Sequence, residues 1–150
     1  MIKESTLNGF LYSTDRSKLD ISYIHDFLRN SYWAKEIPEE VVRKSIDNSL
    51  CFGIYNNDQQ IGFARLVTDY ATFAYLADVF VDEKFRGRGI SKGLMKFILS
   101  LEFMNGLRRI VLATLDAHGL YKQFGFQQLE RPERYMEIVR KDVYVKNYKL

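Results

Sequence analysis

The chain has 150 residues, a length that fits one domain and is short for two. Hydrophobic residues make up 47% and charged residues 27%, and the net charge of +3 is too small and scattered for a nucleic-acid face, so a globular chain with no nucleic-acid partner is expected. One cysteine excludes an internal disulfide and two histidines without nearby thiols argue against a metal, while the lack of a signal peptide or of an apolar run near ~18 residues points to the cytoplasm and away from a membrane.

No linker, repeat or low-complexity tract interrupts residues 1–150, which are read as a single domain. A short strand is expected at 9–13, then a helix at 19–31, where Ile21, Ile24, Phe27 and Leu28 recur at helical spacing. Pro38 with Glu39 and Glu40 opens a second helix ending near Asn48, its acidic first turn suited to the positive end of the helix dipole. Strands at 50–55 and 60–68 flank the turn Asn56-Asn57-Asp58-Gln59, and a third long strand follows at 72–81. Helical spacing returns at 89–105, with Asn105-Gly106 as terminator, before an apolar strand at 109–114. A short helix at 120–124 and two strands, 126–129 and 135–139, complete the chain. A meander followed by a strand–helix–strand crossover implies a mixed α/β sheet, antiparallel first, with one parallel pair.

The stretch from Asp82 to Ser91, Asp-Glu-Lys-Phe-Arg-Gly-Arg-Gly-Ile-Ser, runs a strand into a glycine-containing turn that opens a helix. Glycines let the backbone curl toward a ligand, and successive amides at a helix start converge on an anion. Arg86, Arg88 and Lys92 add positive charge there. The pattern describes a phosphate cradle, although it matches neither the Walker motif nor the dinucleotide fingerprint. A plain helix start with solvated basic residues is the alternative. Asp78 is the lone acid of an apolar run, and alternation sets Leu76, Asp78 and Phe80 on one face of the strand and Ala77, Val79 and Val81 on the other. Such a carboxylate is either paired structurally or open to a cleft, where burial would raise its pKa toward that of a working base.

Two segments resemble the signatures of the GNAT N-acetyltransferase superfamily. Arg86-Gly87-Arg88-Gly89-Ile90-Ser91 is similar to the acyl-CoA-binding signature: Arg or Gln, two residues, Gly, one residue, then Gly or Ala. Leu120-Tyr121-Lys122-Gln123-Phe124-Gly125-Phe126 is similar to the second signature, a Leu-Tyr segment leading to Gly-Phe. Both stand in the family order with a strand between them, and the element order agrees over essentially the whole chain. Ser91 departs from the first signature, and its small hydroxyl would adjust the geometry without removing the site.

The resemblance implies an α/β fold with a central, mostly antiparallel sheet splayed at one parallel strand pair and helices on both faces. It implies an acyltransferase that uses acetyl-CoA and no metal. The amides of Arg86, Gly87, Arg88, Gly89, Ile90 and Ser91 would hold the CoA pyrophosphate, and Val79, Phe80 and Val81 would offer backbone groups to the pantetheine arm. A primary amine of a small molecule would attack the thioester directly in a ternary complex, with an amide near Val79 polarising the carbonyl. Tyr121, beside the donor, stands where the family carries the acid that protonates the departing thiolate. Asp78 would act as general base or touch the acceptor, unless its role is a structural hydrogen bond.

Tyr32 and Trp33 lie between the first two helices, where the family binds the acceptor, and would provide an apolar or cation-binding wall or else pack under the loop. The Asp69-Tyr70 turn is a weaker acceptor candidate. Asp116 reads as an N-cap of the short helix, His118 as packed or as an aid to proton movement, and His25 as a surface residue. Cys51 reads as a packed core thiol. Other readings of the same residues are a non-catalytic acyl-CoA sensor and a protein or peptide N-acetyltransferase. A homodimer is open too, with 135–139, Tyr144 and Tyr148 as contributors.

Overall fold

In the computed structural model, which describes residues 1–146, the sheet begins with a two-residue turn. Asn8 and Gly9, at φ 53° and 83°, join β1 (Glu4–Leu7) to β2 (Phe10–Ser13). Both turn residues are ones that tolerate positive φ, and such turns carry the twist that antiparallel strands need. Strand β1 is not among the strands expected from the sequence; the Asn-Gly pair was its signal. Helix α1 (Ile21–Arg29) starts at Asp20, whose carboxylate accepts from the Tyr23 amide, and α2 (Glu39–Asp47) starts after Pro38. Strands β3 (Leu50–Asn56), β4 (Gln59–Thr68) and β5 (Phe73–Val81) form the meander. Helix α3 (Ile90–Leu99) then crosses to β6 (Arg109–Leu112), and the short α4 (His118–Lys122) follows.

All six strands share one sheet in sequence order, antiparallel throughout except for the parallel pair β5–β6. Alternate strand residues feed two separate cores. Phe52, Ile54, Leu66 and Leu76 pack with Leu94, Met95 and Ile98 of α3 on one face. Cys51, Phe63 and Phe80 pack with Ile24, Leu28, Val42 and Ile46 of α1 and α2 on the other. The helices therefore cover both faces of a mixed α/β sheet, as the crossover connection requires.

Three expectations need correction. The helix expected to reach Asn105 ends at Leu99, because Leu101 is extended (φ −65°, ψ 133°) and the Ser100 hydroxyl bonds back to the Phe97 carbonyl; a 3-10 turn, Glu102–Gly106, takes over. The strands expected at 126–129 and 135–139 do not form, since neither segment meets a strand to pair with, and residues 130–141 are exposed throughout. Asp116 does not cap α4: Ala117 holds that position, and its amide donates to Thr114 Oγ1. A helical turn, α5 (Val143–Lys146), brings Tyr144 against the α1–α2 core, while Tyr148 lies outside the described residues.

One buried contact ties the sheet to the start of α3. The Tyr12 hydroxyl, on β2, donates to the carbonyl of Ile90 at 2.9 Å. It reaches there because Gly93, one turn into α3, has no side chain; a Cβ at that position would overlap the Tyr12 hydroxyl. Gly93→Ala is expected to lower stability by about 1–3 kcal/mol, as overpacking of a closed core does, whereas Gly106→Ala, with open space around it, should leave the packing intact. Urea unfolding of the two variants compares them directly.

Candidate active site

Strand β5 carries one residue too many for its partner. Its register with β4 passes from Ala77 opposite Arg65 to Phe80 opposite Phe63, so three steps on β5 match two on β4. Asp78 takes up the extra length at φ 53°, a left-handed conformation that aspartate tolerates better than most side chains. The bulge reverses the alternation beyond it. Leu76 stays in the α3 core but Phe80 enters the α1–α2 core, so the face shared by Leu76, Asp78 and Phe80 in a regular strand does not exist.

The bulge also ends the pairing with β6. The parallel ladder runs from Phe73 opposite Arg109 to Leu76 opposite Leu112, and the β6-facing edge of β5 beyond it, including Val79, Phe80 and Val81, has no strand partner among the described residues. Strand β5 then leads through Asp82 and a 3-10 turn, Glu83–Phe85, into the loop before α3. Gly87 and Gly89 sit at φ 79° and 75°, and a Cβ on either would meet no atom within 4 Å. Gly89 is the N-cap of α3 and offers no side chain to the first turn. The amides of Gly87, Arg88, Gly89, Ile90, Ser91 and Lys92 donate to no carbonyl or side chain among the described residues at hydrogen-bond geometry, whereas the Arg86 amide, expected in the cradle, is already used by the Glu83 carbonyl at 3.3 Å. Six unpaired donors around open space, at a helix start flanked by Arg86 and Arg88, fit the phosphates of a CoA donor. The unpaired edge of β5 continues from that cradle, as an extended pantetheine arm would need.

Tyr121, on α4, is buried, with the Phe126 ring against it at 5.8 Å, and its hydroxyl makes no hydrogen bond among the described residues. Burial raises its pKa above the ordinary tyrosine value, and the nearby Tyr32 phenol adds to the shift. The phenol therefore keeps its proton at neutral pH. Tyr32 and Trp33 are exposed and lie edge to face at 5.1 Å; with Asp26, Phe27, Asn30 and Ser31 they line a cleft of about 400 Å³.

Asp78 joins this cleft to the bulge. One of its oxygens accepts from the Trp33 indole at 2.9 Å and the other from Arg65 Nε at 2.9 Å, and Arg65 also donates to the Ser49 hydroxyl. Arg65 is the partner of Asp78 that the sequence reading passed over. Its signal was a single cation inside the apolar run of β4, 13 positions before the lone acid on the next strand. A second tie is aromatic: Phe80 stacks on Phe27 at 3.8 Å, and Phe27 packs on Trp33 at 6.4 Å. Trp33 is thus held from β5 twice, by a hydrogen bond and by a stack.

The other candidates lie elsewhere or do structural work. Asp69 accepts from the Thr72 hydroxyl and from the amides of Thr72, Ala71 and Phe73, which holds its carboxyl well below the usual range and closes the β4–β5 turn. That turn is at the opposite end of β5 from the cradle. Cys51 is buried, and burial pushes its thiol up to about 12, so it is not a nucleophile at neutral pH. His118 is exposed at the start of α4. His25 is no free surface residue: its Nε2 lies 2.9 Å from the Ile37 carbonyl, linking α1 to the approach of α2.

A GNAT-family protein of Xanthomonas campestris pv. campestris, known from a crystal structure, is 47% identical, with a TM-score of 0.89 over 93% of this chain and 99% of that one. A peptidyl-lysine N-acetyltransferase of Salmonella typhimurium is 34% identical over 73% of this chain and 70% of its own length. An acetyltransferase of Clostridium acetobutylicum, crystallised with acetyl-CoA, shares the fold at 18% identity, with a TM-score of 0.58 over 93% of this chain and 96% of that one. The model of the acetyltransferase (GNAT) family matches residues 19–126, and the chain belongs to that family of acyltransferases.

Proposed function

We propose that the protein transfers an acetyl group from acetyl-CoA to a primary amine of a small molecule, by direct attack within a ternary complex. The observation that carries this reading is the convergence of three parts. The edge of β5 is open beyond the bulge at Asp78, Trp33 of the cleft bonds to Asp78, and Tyr32 of the same cleft lies near the Tyr121 phenol. In this reading the amides at 87–92 bind the pyrophosphate and the edge at Val79, Phe80 and Val81 receives the pantetheine arm. An amide near Val79 stabilises the oxyanion that forms as nitrogen attacks the thioester carbonyl. The C–S bond then breaks, and Tyr121 passes its proton to the departing sulfur.

Asp78 takes a positioning role here. Both its oxygens already accept hydrogen bonds, which supports holding Trp33 and Arg65 in place over drawing a proton from the amine. The cleft at Tyr32 and Trp33 has the volume of a small-ligand site, and its aromatic faces suit an amine before deprotonation. A lysine side chain of a protein is the second reading, favoured by the activity in the name of the Salmonella relative.

Acetyl-CoA at a hundred times its Kd should stabilise the chain by about 2.7 kcal/mol, visible as a rise in Tm that ATP does not reproduce. Gly89→Ala forces an L side chain into the left-handed region at the cradle. It should cost about 1–2 kcal/mol and reduce that rise. A full shift in Gly89→Ala would count against the cradle.

Thiol release with a panel of small amines and a lysine peptide tests the chemistry. Tyr121→Phe is expected to lower kcat by about a hundredfold or more while acetyl-CoA binding persists. Equal turnover in Tyr121→Phe would leave the phenol a packing role only.

Asp78→Ala leaves Arg65 without its partner in a site where the two side chains are 11% and 19% exposed. A loss of about 2–3 kcal/mol is expected in unfolding experiments, below the full cost of a completely buried pair. Asp78→Asn and Trp33→Phe should both raise the KM for the amine and leave the pH dependence of kcat in place. Loss of the acidic limb of the kcat profile in Asp78→Asn would instead make Asp78 the base.

A further inference from the structure

We propose that the acceptor amine carries an apolar body, lying on a bare strip of the sheet beside Asp78; this inference rests on the transferase reading above. The strip follows from register. Leu66, Ala74 and Leu76 point into the α3 core, so their neighbours along β4 and β5 point to the opposite face. On that face Arg65 stands opposite Ala77, and Val67 opposite Tyr75, which is itself opposite Val111 of β6. Phe73 and Arg109 form the next row. From Ala77 to Phe73 the strip runs about 13 Å.

Helices α1 and α2 share a core with the sheet on this face only at Cys51, Phe63 and Phe80, among the described residues. Val67, Phe73, Tyr75 and Val111 belong to neither core, and the first three are 41%, 39% and 38% exposed. Single exposed apolar side chains occur on any protein. Adjacent ones spread over neighbouring strands form a patch of the kind that marks a binding surface.

Continuity and charge together indicate what covers it. The strip begins where the Tyr32–Trp33 cleft ends. Asp78 accepts from Arg65 through one oxygen and from the Trp33 indole through the other, so the first row of the strip and the cleft wall share one carboxylate. A molecule with its nitrogen at the cleft can therefore extend over Tyr75 and Val67 without leaving the surface. Charge then selects the body. Arg65 at the near end is matched by Asp78. Arg109 at the far end lies over the Tyr135 ring at 5.5 Å and donates to the Tyr135 hydroxyl, a neutral partner that leaves its positive charge in place. A second ammonium reaching that end would meet like charge. An alkyl or aryl body would instead take Val67, Phe73 and Tyr75 out of water.

Trp33 is the only tryptophan, so its emission reports on the cleft without any need for turnover. Titration with straight-chain primary amines from butyl to octyl should show Kd falling about twofold to fourfold with each added methylene. The KM in thiol release should follow the same series. The diamine of octyl length should bind more weakly than octylamine. Val67→Ser and Tyr75→Ser should flatten the series while the rise in Tm with acetyl-CoA persists. One Kd for every chain length, a diamine that binds as well as octylamine, or a series untouched by both substitutions would overturn the proposal. A doubled mass in light scattering that Val67→Ser abolishes would give the strip to a second copy instead, and a lysine peptide binding more tightly than octylamine would give it to a protein. A rising series with no turnover of any amine would remove the transferase reading and keep the strip as an amine-binding surface.

Discussion

The single extra residue of β5 is the constraint on which the site depends. Asp78 sits in the left-handed region so that Ala77 and Phe80 can both keep their register with β4. The cost of that conformation is offset by what its carboxylate does, since the same turn of backbone aims it at Trp33 and Arg65. Removing the bulge would restore regular alternation, send Phe80 to the wrong core and close the gap between β5 and β6. The proposed donor channel, the proposed acceptor loop and the packing of α1 therefore share one local distortion, which is where strained backbone is expected to persist.

Around it, the chain separates rigid support from exposed chemistry. The proposed donor side rests on α3, whose start is fixed by the Tyr12 hydroxyl on the Ile90 carbonyl while its own amides stay unpaired. The proposed acceptor side rests on an aromatic chain from Phe63 through Phe80 to Phe27, with Trp33 at its open end. Unpaired amides and exposed aromatic rings are unfavourable features in a stable fold. They persist because the two cores beneath them hold the backbone without their help. The same reasoning makes the exposed arm at 135–140 conspicuous, for there the apolar side chains have no core beneath them at all.

Much of this was legible in the order of the residues. Helices α1 and α2, the meander and the crossover through α3 follow from local periodicity and from Pro38 and Asp20, whose effects reach only a turn away. The cradle was legible for the same reason, since Gly87, Gly89 and the helix start form one continuous segment. Asn8-Gly9 carried an equally local signal for β1, although β1 itself has four exposed residues and no apolar pattern to announce it.

What the sequence by itself determined is what neighbouring residues settle between them: element types, turn geometry and the glycine-rich start of α3. The tertiary structure decided whatever depends on residues far apart in the chain. The pairing of Asp78 with Arg65 and Trp33 spans 13 and 45 positions, and no periodicity reports it. The reversal of faces beyond the bulge is set by the register with β4, not by β5 alone. The strands expected from composition at 126–129 and 135–139 do not form, because a strand exists only where another backbone supplies the partner.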